Sequence, residues 1–168
     1  MITLRWFRGL TAAAPLLAVF SVVACGTHAE HPQSSEVVVG TTAAKSEPNP
    51  VRNDLEPLTK RFPALGTPVA ALWVSGEMGD SRVPGPSTYW LDSVIELTPD
   101  TAATLVDKYQ PAPTTEQPDV WKTLTNALPG SSYLTSDALD GAFSSARLNA
   151  RAYLAVGSPV VVITAMGQ

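Results

Sequence analysis

A chain of 168 residues holds one ordinary domain with room for a targeting segment or a tail. Its 45% hydrophobic and 15% charged composition is that of a globular protein, and its net charge of −4, with scattered Lys and Arg, excludes the basic stripe of a nucleic-acid binder. The single cysteine, Cys25, excludes an internal disulfide and any cysteine-rich metal site.

The first eight residues carry Arg5 and Arg8 and no acid, and the apolar stretch Gly9–Ala24 follows. That stretch is sixteen residues long and contains Pro15, whereas a helix crossing a bilayer needs roughly twenty apolar residues. It reads as a leader peptide, with an uncleaved anchor or an ordinary signal peptide as the alternatives. It ends in Val22-Val23-Ala24-Cys25-Gly26, which resembles the lipobox of bacterial lipoproteins, with Val23 where Ala or Ser is commoner. The resemblance implies a diacylglyceryl group on the Cys25 sulfur as the only attached group, cleavage before Cys25 by signal peptidase II, and palmitate-type chains holding the protein on the outer face of the cell membrane. Two acyl chains give stable attachment where one gives marginal binding, at about 0.8 kcal/mol per buried methylene. Loss of Arg5 and Arg8 with the leader takes the net charge from −4 to −6. No polybasic patch is present to add an electrostatic attachment.

Residues 25–52 are rich in Ser, Thr, Pro, Gly and Ala, lack aromatic residues, and read as a lipidated cysteine followed by a flexible tether. The run Val37-Val38-Val39 is the one segment there with strand character. A single globular domain is expected from 53 to 168. It opens with Leu55, Leu58 and Phe62 at helical spacing, in a segment shortened by Pro57 and Pro63. Pro68–Ser75 reads as a strand, and Gly76–Ser87 as a long Gly/Pro-rich loop. Thr88–Leu97 alternates with period two, placing Tyr89, Leu91, Ser93, Ile95 and Leu97 on a core face and Trp90, Asp92, Val94 and Glu96 on a wetter one.

Thr98-Pro99-Asp100 starts a helix, with Ala102, Leu105, Val106 and Tyr109 on its buried face and Pro111 and Pro113 as its stop. A second helical pattern begins at Pro118-Asp119, carries Val120, Trp121, Leu124, Ala127 and Leu128, and ends at Pro129-Gly130. Tyr133-Leu134 reads as a short strand, and Ser136-Asp137 caps a short helix with Leu139, Ala142 and Phe143. Ala152–Val156 and Pro159–Met166, parted by Gly157-Ser158, read as a hairpin whose second strand is apolar on both faces and belongs inside the sheet. The fold class expected is α+β: an antiparallel or mixed sheet of about four strands with two or three helices packed on one face.

Both histidines, His28 and His31, precede the domain. The domain therefore has no imidazole for a Ser-His-Asp triad, an HExxH zinc site or general acid-base work. Glycine-rich nucleotide motifs, GxSxG and Ser-x-x-Lys are also absent. No catalytic residue and no metal ligand is assigned. Two candidate constellations remain. Glu77 and Asp80 in the loop, with Asp92 and Glu96 on the next strand, would serve a glycosidase-type carboxylate pair if two faced one another. Trp73, Tyr89 and Trp90 flank the same loop, which contains Arg82, and would form a recognition patch, with Trp90 as its exposed member beside Asp92. Trp121 is expected to pack between helix and sheet.

The leader and the Ala/Pro/Thr-rich composition are similar to those of the small, uncharacterised lipoproteins of actinobacteria. The reading that follows is a membrane-anchored, non-catalytic binding or accessory module with an envelope protein or cell-wall partner and no nucleic acid. The alternatives are a small carboxylate-dependent envelope hydrolase and an inhibitor or immunity-type lipoprotein.

Overall fold

The computed structural model describes residues 44–79 and 87–168. Cys25, His28, His31 and the 37–39 valine run lie outside the described residues, as do Asp80 and Arg82. In chain order the elements are α1 (Glu56–Arg61), a 3-10 turn (Pro63–Leu65), β1 (Ala70–Glu77), β2 (Tyr89–Glu96), α2 (Pro99–Tyr109), β3 (Ala112–Thr114), a second 3-10 segment (Lys122–Ala127), β4 (Tyr133–Thr135), α3 (Asp137–Phe143), β5 (Leu148–Ala155) and β6 (Val160–Gly167). The strands form one antiparallel sheet in the order β1-β2-β6-β5-β4-β3. The class is α+β as expected, but the sheet has six strands where about four were expected.

The interior of the sheet follows local pattern. β2 and β6 pair over their full eight residues, from Tyr89 opposite Gly167 to Glu96 opposite Val160. β6 lies between β2 and β5 and has Val161, Val162 and Ile163 wholly buried, which is why its sequence is apolar on both faces. The β5–β6 hairpin turns at Gly157, whose φ of +83° favours glycine.

Three helices cover one face. α2 starts at Thr98, whose Oγ1 accepts from Thr101 N at 3.2 Å, and ends at Gln110 in a left-handed conformation ahead of Pro111. α3 starts at Ser136, whose hydroxyl accepts from Leu139 N at 3.1 Å and donates to Tyr109 O at 3.0 Å, tying its start to the end of α2. Leu58, Phe62, Leu65, Leu105, Leu139 and Phe143 pack from the helical layer onto Leu91, Ile95, Ala152 and Ile163. Val106 departs from the expected stripe: it is 38% exposed, because the buried side of α2 is carried by Leu105 with Ala102 and Tyr109 beside it.

The other face is where the structure departs most from the sequence pattern. Between β3 and β4 the chain crosses that face. There Leu124, Val120, Trp121, Ala127 and Leu128 pack against Val74, Trp90, Val94, Tyr133, Tyr153 and Val162. No α-helix forms from Pro118-Asp119. Trp121 is extended (φ −56°, ψ 143°) because its N–H donates to Asp92 Oδ2 at 2.7 Å, and the following KTLTNA, with two Thr and an Asn, forms only a 3-10 segment without a side-chain cap.

Both sheet edges are blunted. β3 is three residues long and contains Pro113, a position suited to an edge strand; of the two prolines read as helix stops, Pro113 sits in this strand and Pro111 just before it. On the far side, residues 44–52 run along β1 as a strap, with bridges from Lys45 to Met78 and from Arg52 to Trp73. These residues, read from composition as the end of the tether, are drawn onto the sheet by the unpaired edge groups of β1.

Candidate functional site

Two places on the described body concentrate polar chemistry. The first is centred on Asp92. Its carboxylate has no solvent exposure, and three donor contacts reach it: Lys45 Nζ at 2.9 and 2.8 Å to its two oxygens, and Trp121 N at 2.7 Å. Lys45, whose side chain is 24% exposed, also donates to Asp119 O at 3.1 Å and lies 5.2 Å from the centre of the Trp90 ring. Asp92 thus joins three separate chain segments: the strap, a central strand and the crossing segment. Burial pushes its carboxyl above the ordinary carboxylate value, while Lys45 and the Trp121 N–H pull the other way. With its oxygens occupied and no access to solvent, this group is an internal brace.

Trp90 belongs to the same brace. It is wholly buried, which corrects its reading as the exposed member of a recognition patch, and its ring stacks on Trp121 at 5.1 Å between centroids and 26° between planes. A Cβ on Gly76 would come within 2.8 Å of Trp90 Nε1, so only glycine lets the indole lie on that strand. Neither indole N–H, of Trp90 or of Trp121, has an acceptor among the described residues. The alternation of β2 groups Trp90, Asp92 and Val94 on one face as the structure does, but the face read as the wetter one is buried except at Glu96; the cover over it comes from residues 118–128, whose arrival the strand pattern cannot signal.

The carboxylate pair is not assembled from the described candidates. Glu77 lies directly opposite Tyr89, three residues before Asp92, so Glu77 and Asp92 point to opposite faces of the sheet. Glu77 and Glu96 are exposed. Trp73 is buried, donates through Nε1 to Asp54 O at 3.0 Å and carries the Arg52 guanidinium 4.2 Å from its ring. Tyr89 is half-buried beside Gly167, with Arg61 over its ring at 5.1 Å. Among the described residues no group of three or more His, Cys, Asp or Glu is placed to hold a metal ion, and no helix is long and apolar enough to cross a membrane.

The second place is a cavity of about 650 Å³ at the end of the sheet where β1 finishes and β5 begins. Met78 and Thr88, from the two ends of the Gly/Pro-rich loop, line it together with Ser145, Arg147 and Asn149 and with Met166 and Gln168 at the end of β6. Its frame is stiff. Ser144 Oγ accepts from Ala150 N at 2.9 Å, Ser145 and Leu148 exchange backbone bonds at 2.8 and 3.2 Å, and Gln168 N donates to Arg147 O at 3.0 Å. Asp140, also on the lining, accepts from Ala152 N at 2.8 Å and meets Arg151 Nε at 3.2 Å; burial raises its carboxyl despite both. The volume suits a small organic molecule or a peptide end, and the walls mix methionine and leucine surface with hydroxyl, carboxamide and guanidinium groups.

None of the cavity residues was singled out as a candidate by sequence, although Met78 falls within the loop Gly76–Ser87. The turn Ser144–Arg147 and the end of β6 carry no motif, and they meet Met78 only through the order of strands in the sheet. No protein-family model, curated protein or solved structure matches the chain.

Proposed function

We propose that the protein is a lipoprotein held by acylated Cys25 on the outer face of the cell membrane, where it works as a non-catalytic module that binds a ligand in the cavity beside Met78 and Thr88. The cavity carries the binding part of this reading: it is a concavity of about 650 Å³, it is framed by hydrogen bonds, and it adjoins the loop whose length and composition already marked it as a candidate. The lipobox-like Val22–Cys25 run supports the address.

The envelope-hydrolase alternative is weakened by the burial and full hydrogen bonding of Asp92 and by the opposite facing of Glu77. Mass spectrometry of the protein extracted from its membrane tests the proposal. The expected species lacks residues 1–24, carries a diacylglyceryl group on Cys25 and loses both changes in Cys25→Ser. A co-purifying small molecule should be displaced by Met166→Arg, which puts a charge on the exposed wall of the cavity. An intact leader with a free thiol would overturn the address, and retention of the molecule by the variant would overturn the binding site.

A further inference from the structure

The chain ahead of the sheet enters the body at a fixed point. Ala44 O accepts from Gly79 N at 3.0 Å, Ser46 N donates to Glu77 O at 3.0 Å, Asn49 N donates to Ser75 O at 2.8 Å, and Arg52 and Trp73 exchange bonds at 2.8 and 2.9 Å. The strap is thus antiparallel to β1 and begins at the end where β1 finishes. Side chains reinforce the register, since Ser46 Oγ donates to Glu77 O at 2.6 Å and Asn49 Nδ2 to Ser75 O at 3.1 Å. Lys45 then locks it. A slip of the strap along the edge would draw the ammonium away from Asp92 and leave a carboxylate without exposure or counter-charge.

The cavity lies at this same end. Met78, which lines it, is the bridge partner of Lys45. The Val156–Pro159 turn is at the other end of the sheet, one eight-residue strand away, or about 25 Å. Nineteen peptide steps separate Ala44 from Cys25, and a linker of the Ser/Thr/Gly/Pro composition found there typically spans about 25 Å.

We infer that the strap holds the domain by its cavity end, so that the cavity faces the lipid surface carrying the anchor and its partner is the headgroup layer of that membrane. The inference rests on the acylation of Cys25 proposed above. It goes further by assigning a side of the molecule to the membrane and a source to the ligand. A chain held at the far end of β1 would turn the cavity outward; the direction of the strap, set by its backbone bonds to β1 and reinforced by the Lys45–Asp92 pair, decides between the two.

Energy transfer on vesicles tests it. The lipidated mature chain is reconstituted into vesicles of neutral phospholipid containing a headgroup-linked acceptor dye, with a donor on either Ser145→Cys at the cavity rim or Val156→Cys at the opposite turn. Acylation leaves Cys25 without a thiol, so only the engineered position takes the label. Transfer from position 145 should exceed that from position 156 by about twofold or more for ends some 25 Å apart. The difference should shrink in the pair Lys45→Gln with Asp92→Asn, which unlocks the strap without stranding a charge. Vesicle-bound protein with equal transfer from the two positions, or greater transfer from 156, overturns the inference alone. Absence of vesicle binding overturns the anchoring and the inference together.

Discussion

Replacing Lys45 with methionine isolates the brace beneath the strap. The methionine keeps an apolar stem against the Trp90 ring and removes only the ammonium, so the main consequence is electrostatic. Asp92 would keep the Trp121 N–H and lose two contacts of 2.8 and 2.9 Å, at a position with no solvent exposure. Stranding a buried carboxylate in this way costs about 3–5 kcal/mol. Asp92→Asn has no charge to desolvate, but one carboxylate oxygen becomes an amide NH2 facing the Lys45 ammonium, so it should cost about 1–3 kcal/mol at neutral pH, less than Lys45→Met. In the double variant most of the Lys45→Met penalty should vanish, giving a coupling of about 2 kcal/mol or more. Urea unfolding of the mature chain carrying Cys25→Ser measures all four corners, with the m-value as the check that the two end states are unchanged.

The sign with pH follows from linkage. A carboxyl raised in the folded state gives stability that is present in full below its unfolded value, near 3.8, and lost as pH rises through the folded value. The Lys45→Met penalty should therefore shrink as the pH is lowered from neutral towards 4, and it should stay flat in the Asp92→Asn background. If Lys45→Met costs under about 1 kcal/mol at neutral pH, or if the two changes are additive, Asp92 is not the buried charge described and the reasoning fails.

Trp90→Ala should cost about 3–5 kcal/mol, as expected for a wholly buried aromatic, and should abolish the near-ultraviolet dichroism of the stacked pair; a loss below about 1 kcal/mol would place the ring at the surface. Ser136→Ala removes a cap on α3 and the donor to Tyr109 O together, and should cost about 1–2 kcal/mol in the same unfolding assay, with Ser136→Asp recovering the cap alone.

Where an element is made by neighbours in sequence, its residues announced it. Thr98-Pro99-Asp100 capped α2, Ser136 capped α3, Gly157 turned the last hairpin, and the period of two in β2 divided its side chains between two faces, without showing which of the two would be wet. What sequence could not disclose depends on distant partners. Lys45 is 47 positions from Asp92, and nothing in a polar, Pro-containing stretch marks one lysine as the mate of a buried acid. The same gap explains Trp90: alternation shows which way a side chain points, whereas its burial depends on a crossing segment some thirty residues later. Short elements escaped too, since β3 is three residues long and includes a proline that also reads as a breaker.

The strand that joins the sheet is the last of the six to be synthesised. Before β6 appears, β1-β2 on one side and β5-β4-β3 on the other share no hydrogen-bonded seam, for β6 is the piece between them. A ribosome releasing this chain therefore delivers its keystone late, and the earlier strands have no completed sheet in which to settle prematurely. For the exported lipoprotein proposed here, that order of events suits a polypeptide that must be threaded through a secretion channel before it closes up.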